Sequence, residues 1–428
     1  MPEGVVQARD YGVRCDGVTD DSAALARAEA AAARGGFLLM LPEGTCRITR
    51  PLIFAETAGS FPSMQGAGTG TVILADYRAW HSADHAAVEV VYPEAAQDLA
   101  ARAEQIFGNF LIEGRNNSGL PDTVGLSLRR TAPAMNARGQ EAFYGPYLAR
   151  FENIEVFHFD TCYAVDEASY TDFESIAGSG CRVGFDGTGS LINDLMHGAR
   201  FDFGSVTATS RRGATTGLLL NGRTVPVRVG APEYEFPQGM DISDSVFLNY
   251  SVDLDFESAL STDVHDSIID FSLGGPAIRL FNPQAVDLHD NYIHVAASAA
   301  AIEVEAPSAP QRALWIRDND LTGSGARGQM GIDFAGGGSA WSDVHVTGNH
   351  LEQFAAPIVV AQALRDGTIS DNDGSGNTGP FLDLSQAALT GFTIENNHTD
   401  DRQPVVRLGG ALPASVTMRG NTSGLGAQ

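Results

Sequence analysis

The chain has 428 residues, with 53 acidic side chains against 27 basic ones and a formal charge of −26. That balance argues against nucleic acid or an anionic membrane as partner. It also repels a polyanionic substrate unless an arginine or a metal ion intervenes. There is no lysine, so every basic side chain is an arginine and lysine-based catalysis is excluded. No apolar run approaches the length of a membrane-spanning helix, and no signal peptide is visible.

In chain order, the first element is a helix. Thr19, Asp20 and Asp21 offer cap oxygens and negative charge at its start. Residues 22–34 are rich in strong helix formers, and Gly35 and Gly36 end the run as a left-handed cap would. Residues 37–41 follow as a short apolar strand. The four cysteines, Cys15, Cys46, Cys162 and Cys181, match no zinc spacing and are too few to frame a chain this long. They are expected to be small buried residues, with Cys162 and Cys181 stacked one above the other.

Beyond the helix the chain repeats. In the first half, Phe151-Glu152-Asn153-Ile154 matches Phe173-Glu174-Ser175-Ile176, and Phe201-Asp202-Phe203-Gly204 falls in the same register. In the second half, units such as Asp263-Val264-His265-Asp266 and Asp287-Leu288-His289-Asp290 recur to the end of the sequence. Each carries a second short strand. A period of this size is the mark of a solenoid, and the early helix would plug its first rung. The division is then 1–50 as cap and 51–428 as coil, with inserted loops near 112–147 and 205–238. The apolar centre of each first strand is expected to point inward: Ile154, Ile242, Val264, Leu288, Ile316, Val346, Ile369 and Ile394.

Strand side chains alternate, so the neighbours of each centre point outward. That reading stacks Glu152, Glu174 and Asp202 in one column, a candidate catalytic set with Glu174 at its middle. Two carboxyl groups about one rung apart suit glycoside cleavage, one as acid and one as base or nucleophile. Arg150, Asp172 and Arg200 flank the column as candidate substrate-binding residues. Further along, Asp263, His265, Asp287, His289, Trp315 and Arg317 form an outward patch with a flat aromatic face for a sugar ring. His–Asp pairs there serve acid–base chemistry, metal binding or simple surface pairing. A second outward column, Asp255, Arg279, Glu303, Asp333, Asp383 and Arg407, reads as a structural charge ladder or subunit contact.

The N-terminal segment from Asp10 to Leu25, with Gly35-Gly36 and Leu41-Pro42-Glu43-Gly44-Thr45 after it, resembles the signature of the pectate-lyase-like superfamily. Val13, Cys15 and Cys46 depart from the usual residues of that signature. The resemblance implies an all-β, right-handed parallel β-helix with a helical cap. It implies a carbohydrate-active enzyme acting on a polysaccharide or oligosaccharide, hydrolase favoured over lyase. A non-catalytic tailspike-type binder and inulin fructotransferase-like transfer stay open. It further implies an extracellular or cell-surface setting and a homotrimer. No cofactor is expected, with calcium in play if the reaction is elimination. The polygalacturonase signatures N-T-D, G-H-G and R-I-K are not found.

Overall fold

The computed structural model describes residues 4–35, 37–55, 62–92, 105–115, 121–130, 148–204, 214–225, 233–305, 311–424 and 426–427. Short parallel strands, stacked one coil on the next, form a right-handed parallel β-helix. The chain divides into two compact units, residues 1–213 with 221–240, and 214–220 with 241–428.

In the first unit the helix Ser22–Gly35 buries Ala24, Leu25, Ala28 and Ala32. Asp21 starts it. Its carbonyl accepts the Leu25 N–H at 2.8 Å, and its carboxylate accepts the N–H groups of Arg14 at 2.8 Å and Cys15 at 3.0 Å. The acidic residues of the signature are thus turn and cap ligands. Stacking begins earlier than expected, because the helix is inserted between strands of the first coil rather than set before it. Val5–Gln7 pairs with Leu38–Met40, and Asp16–Asp20 with Gly44–Ile48.

The cysteines form two disulfides, Cys15–Cys46 and Cys162–Cys181, where free buried thiols were expected. Each bridge joins neighbouring coils: Asp16 pairs with Thr45, and Thr161 with Val183. Sequence separations of 31 and 19 residues mean little until the coil period brings the partners together. The aromatic rings of Phe107, Phe151 and Phe173 stack through this unit at 5.2 and 5.5 Å. Neither segment expected as an inserted loop is loop throughout. The strand Val124–Arg130 lies inside 112–147, and Thr216–Asn221 inside 205–238. Both are coil strands with buried alternate leucines, Leu126 and Leu128 in one and Leu218 and Leu220 in the other.

In the second unit each coil has three strands rather than two. Gln284–His289, Tyr292–Val295 and Ala300–Val304 form one coil. Between the first two the chain bends at Asp290, which is left-handed with φ 55°. The next residue, Asn291, begins a buried asparagine ladder. The N–H of each asparagine donates to the side-chain oxygen of the next, from Asn291 through Asn319, Asn349, Asn372 and Asn397 to Asn421, at 3.0–3.3 Å. Their amide groups donate to backbone carbonyls of the preceding coil, which leaves few polar groups of the bend unsatisfied. All eight residues expected to point inward are fully buried. The strands after the ladder bend rejoin the first strands in one bent sheet. The third strands, including Val252–Phe256, Ile278–Leu280, Ala300–Val304, Met330–Phe334 and Ala356–Val360, stack as a second sheet. Gly426–Ala427 folds back antiparallel on Thr422–Ser423.

Candidate functional site

The first predicted column is only partly assembled. Arg150 opposes Asp172, and Glu152 opposes Glu174, as the repeat required. The residue opposite Glu174 on the following coil is His197, not Asp202. Asp202 instead pairs with Ser179, on the far side of a bend at Ser175 with φ 53°. Arg200 likewise stands opposite Ala177. The motif Phe201-Asp202 imitates Phe151-Glu152 and Phe173-Glu174 but occupies the strand after the bend. The true spacing of 22 and then 23 residues leads from Arg150 through Asp172 to Leu195.

Glu152 and Glu174 are held together by a cation. Arg150 lies 3.2 Å from Glu152 and donates to Glu174. Asp172, Phe173, Glu174, Leu195 and His197 line a shallow cavity of about 150 Å³. Arg200 sits 3.9 Å from Asp202, whose carboxylate accepts the Gly204 N–H at 2.7 Å.

In the second unit the predicted patch is a paired ladder. The His265 ring lies 3.2 Å from Asp241 and 2.8 Å from Asp266, and His289 repeats this with Asp263 and Asp290. The two imidazoles stack at 4.9 Å, and Arg317 holds Asp287 through two nitrogens, the closer pair at 2.9 Å. Burial opposes the charge of His265, but hydrogen bonds to Asp266 and Asp241 raise its pKa overall. Burial raises that of Asp263, with His289 opposing. Trp315 is parallel to His345 at 6.4 Å.

Among the described residues, two groups bring three donor atoms within 4.8 Å of one another: Cys15, Asp21 and Cys46, and Asp263, Asp287 and His289. Neither fits calcium. The two sulfurs of the first are spent in a disulfide. The second has an imidazole in place of an oxygen donor, and its Asp287 is already held by Arg317.

The outward face of the second sheet is different. In the second unit two of its aspartates are more sheltered than two that stand on the bent sheet. The Asp255 side chain is 6 % exposed and Asp383 10 %, against 44 % for Asp241 and 43 % for Asp263. Asp255, Arg279, Glu303 and Asp333 oppose one another on successive coils. The Arg279 guanidinium grips Asp255 at 2.9 and 2.5 Å and reaches Glu257 at 3.4 Å and Glu305 at 3.8 Å. Glu303 lies beyond this clamp, with Asp333 directly opposite it. Burial raises the pKa of Glu303, and the like charges of Glu305 and Asp333 add to it, with Arg279 opposing. Burial alone raises that of Asp333.

Opposed residues of neighbouring strands stand ~4.8 Å apart. With the two strands at that backbone spacing, an ionised Asp333 makes the proton of the half-buried Glu303 harder to remove. The pair therefore passes through a form with one acid and one carboxylate. That is the equipment of acid–base cleavage of a glycosidic bond. The column was legible in the sequence as an alternating run of charges. What it lacked was any sign of which charges would be sheltered.

No protein-family model matches the sequence, and no curated protein matches it. Among solved structures the chain is similar to the catalytic unit of a thermostable GH87 alpha-1,3-glucanase from Streptomyces thermodiastaticus strain HF3-3. The identity is 14% over 95% of this chain and 69% of that one, with a TM-score of 0.61. It is also similar to the A-module of the mannuronan C-5 epimerase AlgE6 from Azotobacter vinelandii, at 15% identity over 97% and 98% of the two chains and a TM-score of 0.47. An exopolygalacturonase from Thermotoga maritima aligns at 11% identity over 93% and 92%, with a TM-score of 0.43. The likeness to the glucanase unit shows the fold, a right-handed parallel β-helix.

Proposed function

We propose that this protein is a carbohydrate-active enzyme that cleaves a polysaccharide or oligosaccharide, by hydrolysis in preference to β-elimination. The observation that carries the reading is the carboxyl pair Glu303 and Asp333, opposed on adjacent coils and partly withdrawn from water. Glu303 takes the role of acid, because two like charges and burial favour its protonated form. Asp333 is the base or nucleophile. Arg279 with Asp255 fixes the floor beside them. Fructosyl transfer of the inulin fructotransferase kind would use the same pair with a sugar hydroxyl replacing water. The two disulfides support an extracellular or cell-surface setting, where such bonds persist.

The test is a glycan panel read for new reducing ends. On a glycan that the parent cleaves, Glu303→Gln and Asp333→Asn should each lower turnover by ~10²-fold or more while keeping the parent's circular dichroism and binding. Glu174→Gln serves as the control and should stay within a few fold of the parent. Full activity in both second-sheet variants, or loss of activity in Glu174→Gln alone, would overturn this assignment.

A further inference from the structure

We infer that the substrate of this site is a neutral glycan, so that the bond is broken by hydrolysis and not by elimination from a uronate. The inference rests on the assignment of Glu303 and Asp333 above, and it starts from the charges that surround them. On the outward face of the second sheet in this unit stand Asp255, Glu257, Glu303, Glu305, Asp333 and Asp383. Among the described residues of this unit, the guanidinium groups that face them are Arg279 and Arg407, and both are already engaged. Arg279 touches three carboxylates, and Arg407 holds Asp383 through two nitrogens. Lysine is absent from the chain.

The other arginines of the unit lie elsewhere. Arg312, Arg317 and Arg365 are on strands of the bent sheet, and Arg419 pairs with Glu395 there. Arg327 and Arg402 stand in turns. A uronate carboxylate brought to this face would meet carboxylates whose cations are spent. Sugar hydroxyls fit it better, since each O–H donates and an ionised carboxylate only accepts.

The charge also decides the chemistry. Elimination removes the proton on the carbon next to a uronate carboxylate, forms a ring double bond and expels the leaving oxygen without water. It needs a cation on that carboxylate to make the proton acidic. Hydrolysis has no such need. Glu303 gives its proton to the leaving oxygen as the glycosidic C–O bond breaks. Water adds its oxygen to the anomeric carbon, directly or after a covalent intermediate on Asp333, and its surplus proton restores the acid. One water is consumed and both carboxyl groups end as they began.

The experiment compares matched chains. The full-length protein is incubated with homogalacturonan, the same polymer after carboxyl reduction, alginate, inulin, a β-galactan and an α-1,3-glucan. Reducing ends and absorbance in the unsaturated-uronate band are followed, with binding by affinity electrophoresis. The expected result is release of reducing ends from at least one neutral polymer, without absorbance. Its kcat/KM should exceed that on any polyuronate by ~10²-fold or more, the scale of one uncompensated charge contact. Cleavage of a polyuronate at a comparable rate overturns the neutral class. If Glu303→Gln abolishes that cleavage, the catalytic pair survives the loss of this inference. If Arg327→Ala abolishes it, the cation comes from the turn before Met330–Phe334. Failure to bind or cleave any of the six polymers overturns the enzymatic reading and this inference together.

Discussion

The sharpest physical test lies at Glu89, on the strand Ala86–Tyr92 of the first unit. Its side chain is 1 % exposed, and Arg129 donates to it at 2.9 Å while lying 3.5 Å from Asp84. Burial, and then the hydrogen bond with Asp84, push the Glu89 pKa up from 4.5 to about 7. The same bond holds Asp84 below the usual carboxylate range. Glu89 therefore folds as the neutral acid and donates its proton to Asp84. The sign follows from linkage. Below 4.5 both folded and unfolded chains hold the proton, and Glu89 costs nothing. Between 4.5 and 7 the unfolded chain ionises and the folded one does not, so stability falls as pH rises. At ~1.4 kcal/mol per pH unit this amounts to ~3 kcal/mol, complete above the folded pKa. Asp84 contributes with the opposite sign at lower pH. Glu89→Gln keeps the shape and the donor but cannot ionise. It should match the parent near pH 4 and exceed it by ~3 kcal/mol at pH 8. If the chain melts as one unit, at ~2 cal/mol/K per residue, that is a rise in Tm of ~3–4 °C. Thermal melts of both proteins from pH 4 to pH 8 check this. Parallel pH profiles, or a Glu89→Gln protein less stable at pH 8, would mean that Glu89 is ionised and paired to Arg129.

Replacing both Cys162 and Cys181 by serine opens a loop of 19 residues' separation. It should cost ~3 kcal/mol of stability by the chain-entropy estimate, measured by denaturant unfolding. Asn319→Ala strands the Asn291 N–H and the Leu288 carbonyl inside the bend. A loss of ~2–4 kcal/mol is expected, with faster amide exchange in neighbouring coils, and an unchanged exchange pattern would show the ladder to be passive. Asp253 is wholly buried, and burial raises its pKa well above the usual carboxylate range. Asp253→Asn should therefore be tolerated and should gain on the parent as pH rises above 4, the range where the unfolded aspartate ionises. A melt showing it less stable at neutral pH would contradict the neutral form.

What the sequence determined by itself was the coil. An inward position must be apolar on every turn, so Ile242, Val264, Leu288 and Ile316 declare both the period and the buried face. The capping helix was equally plain, because Asp21, an alanine-rich run and Gly35 are local signals acting within a few residues. Register across a bend was not local. Phe201-Asp202 carries the same pattern as Phe173-Glu174, a phenylalanine and then an acid, and only the left-handed turn at Ser175 assigns it to another strand. The disulfides, too, depend on which coils meet. Above all, the sequence wrote Glu174 and Glu303 alike, as acidic residues beside apolar ones. Which of them loses water depends on side chains from other coils and on the cation that reaches each. Arg150 spans Glu152 and Glu174, whereas Arg279 is drawn to Asp255 and leaves Glu303 facing Asp333. Burial and charge pairing are sums over neighbours in space, so only the tertiary structure decides which carboxyl groups are sheltered and which are paired to a cation.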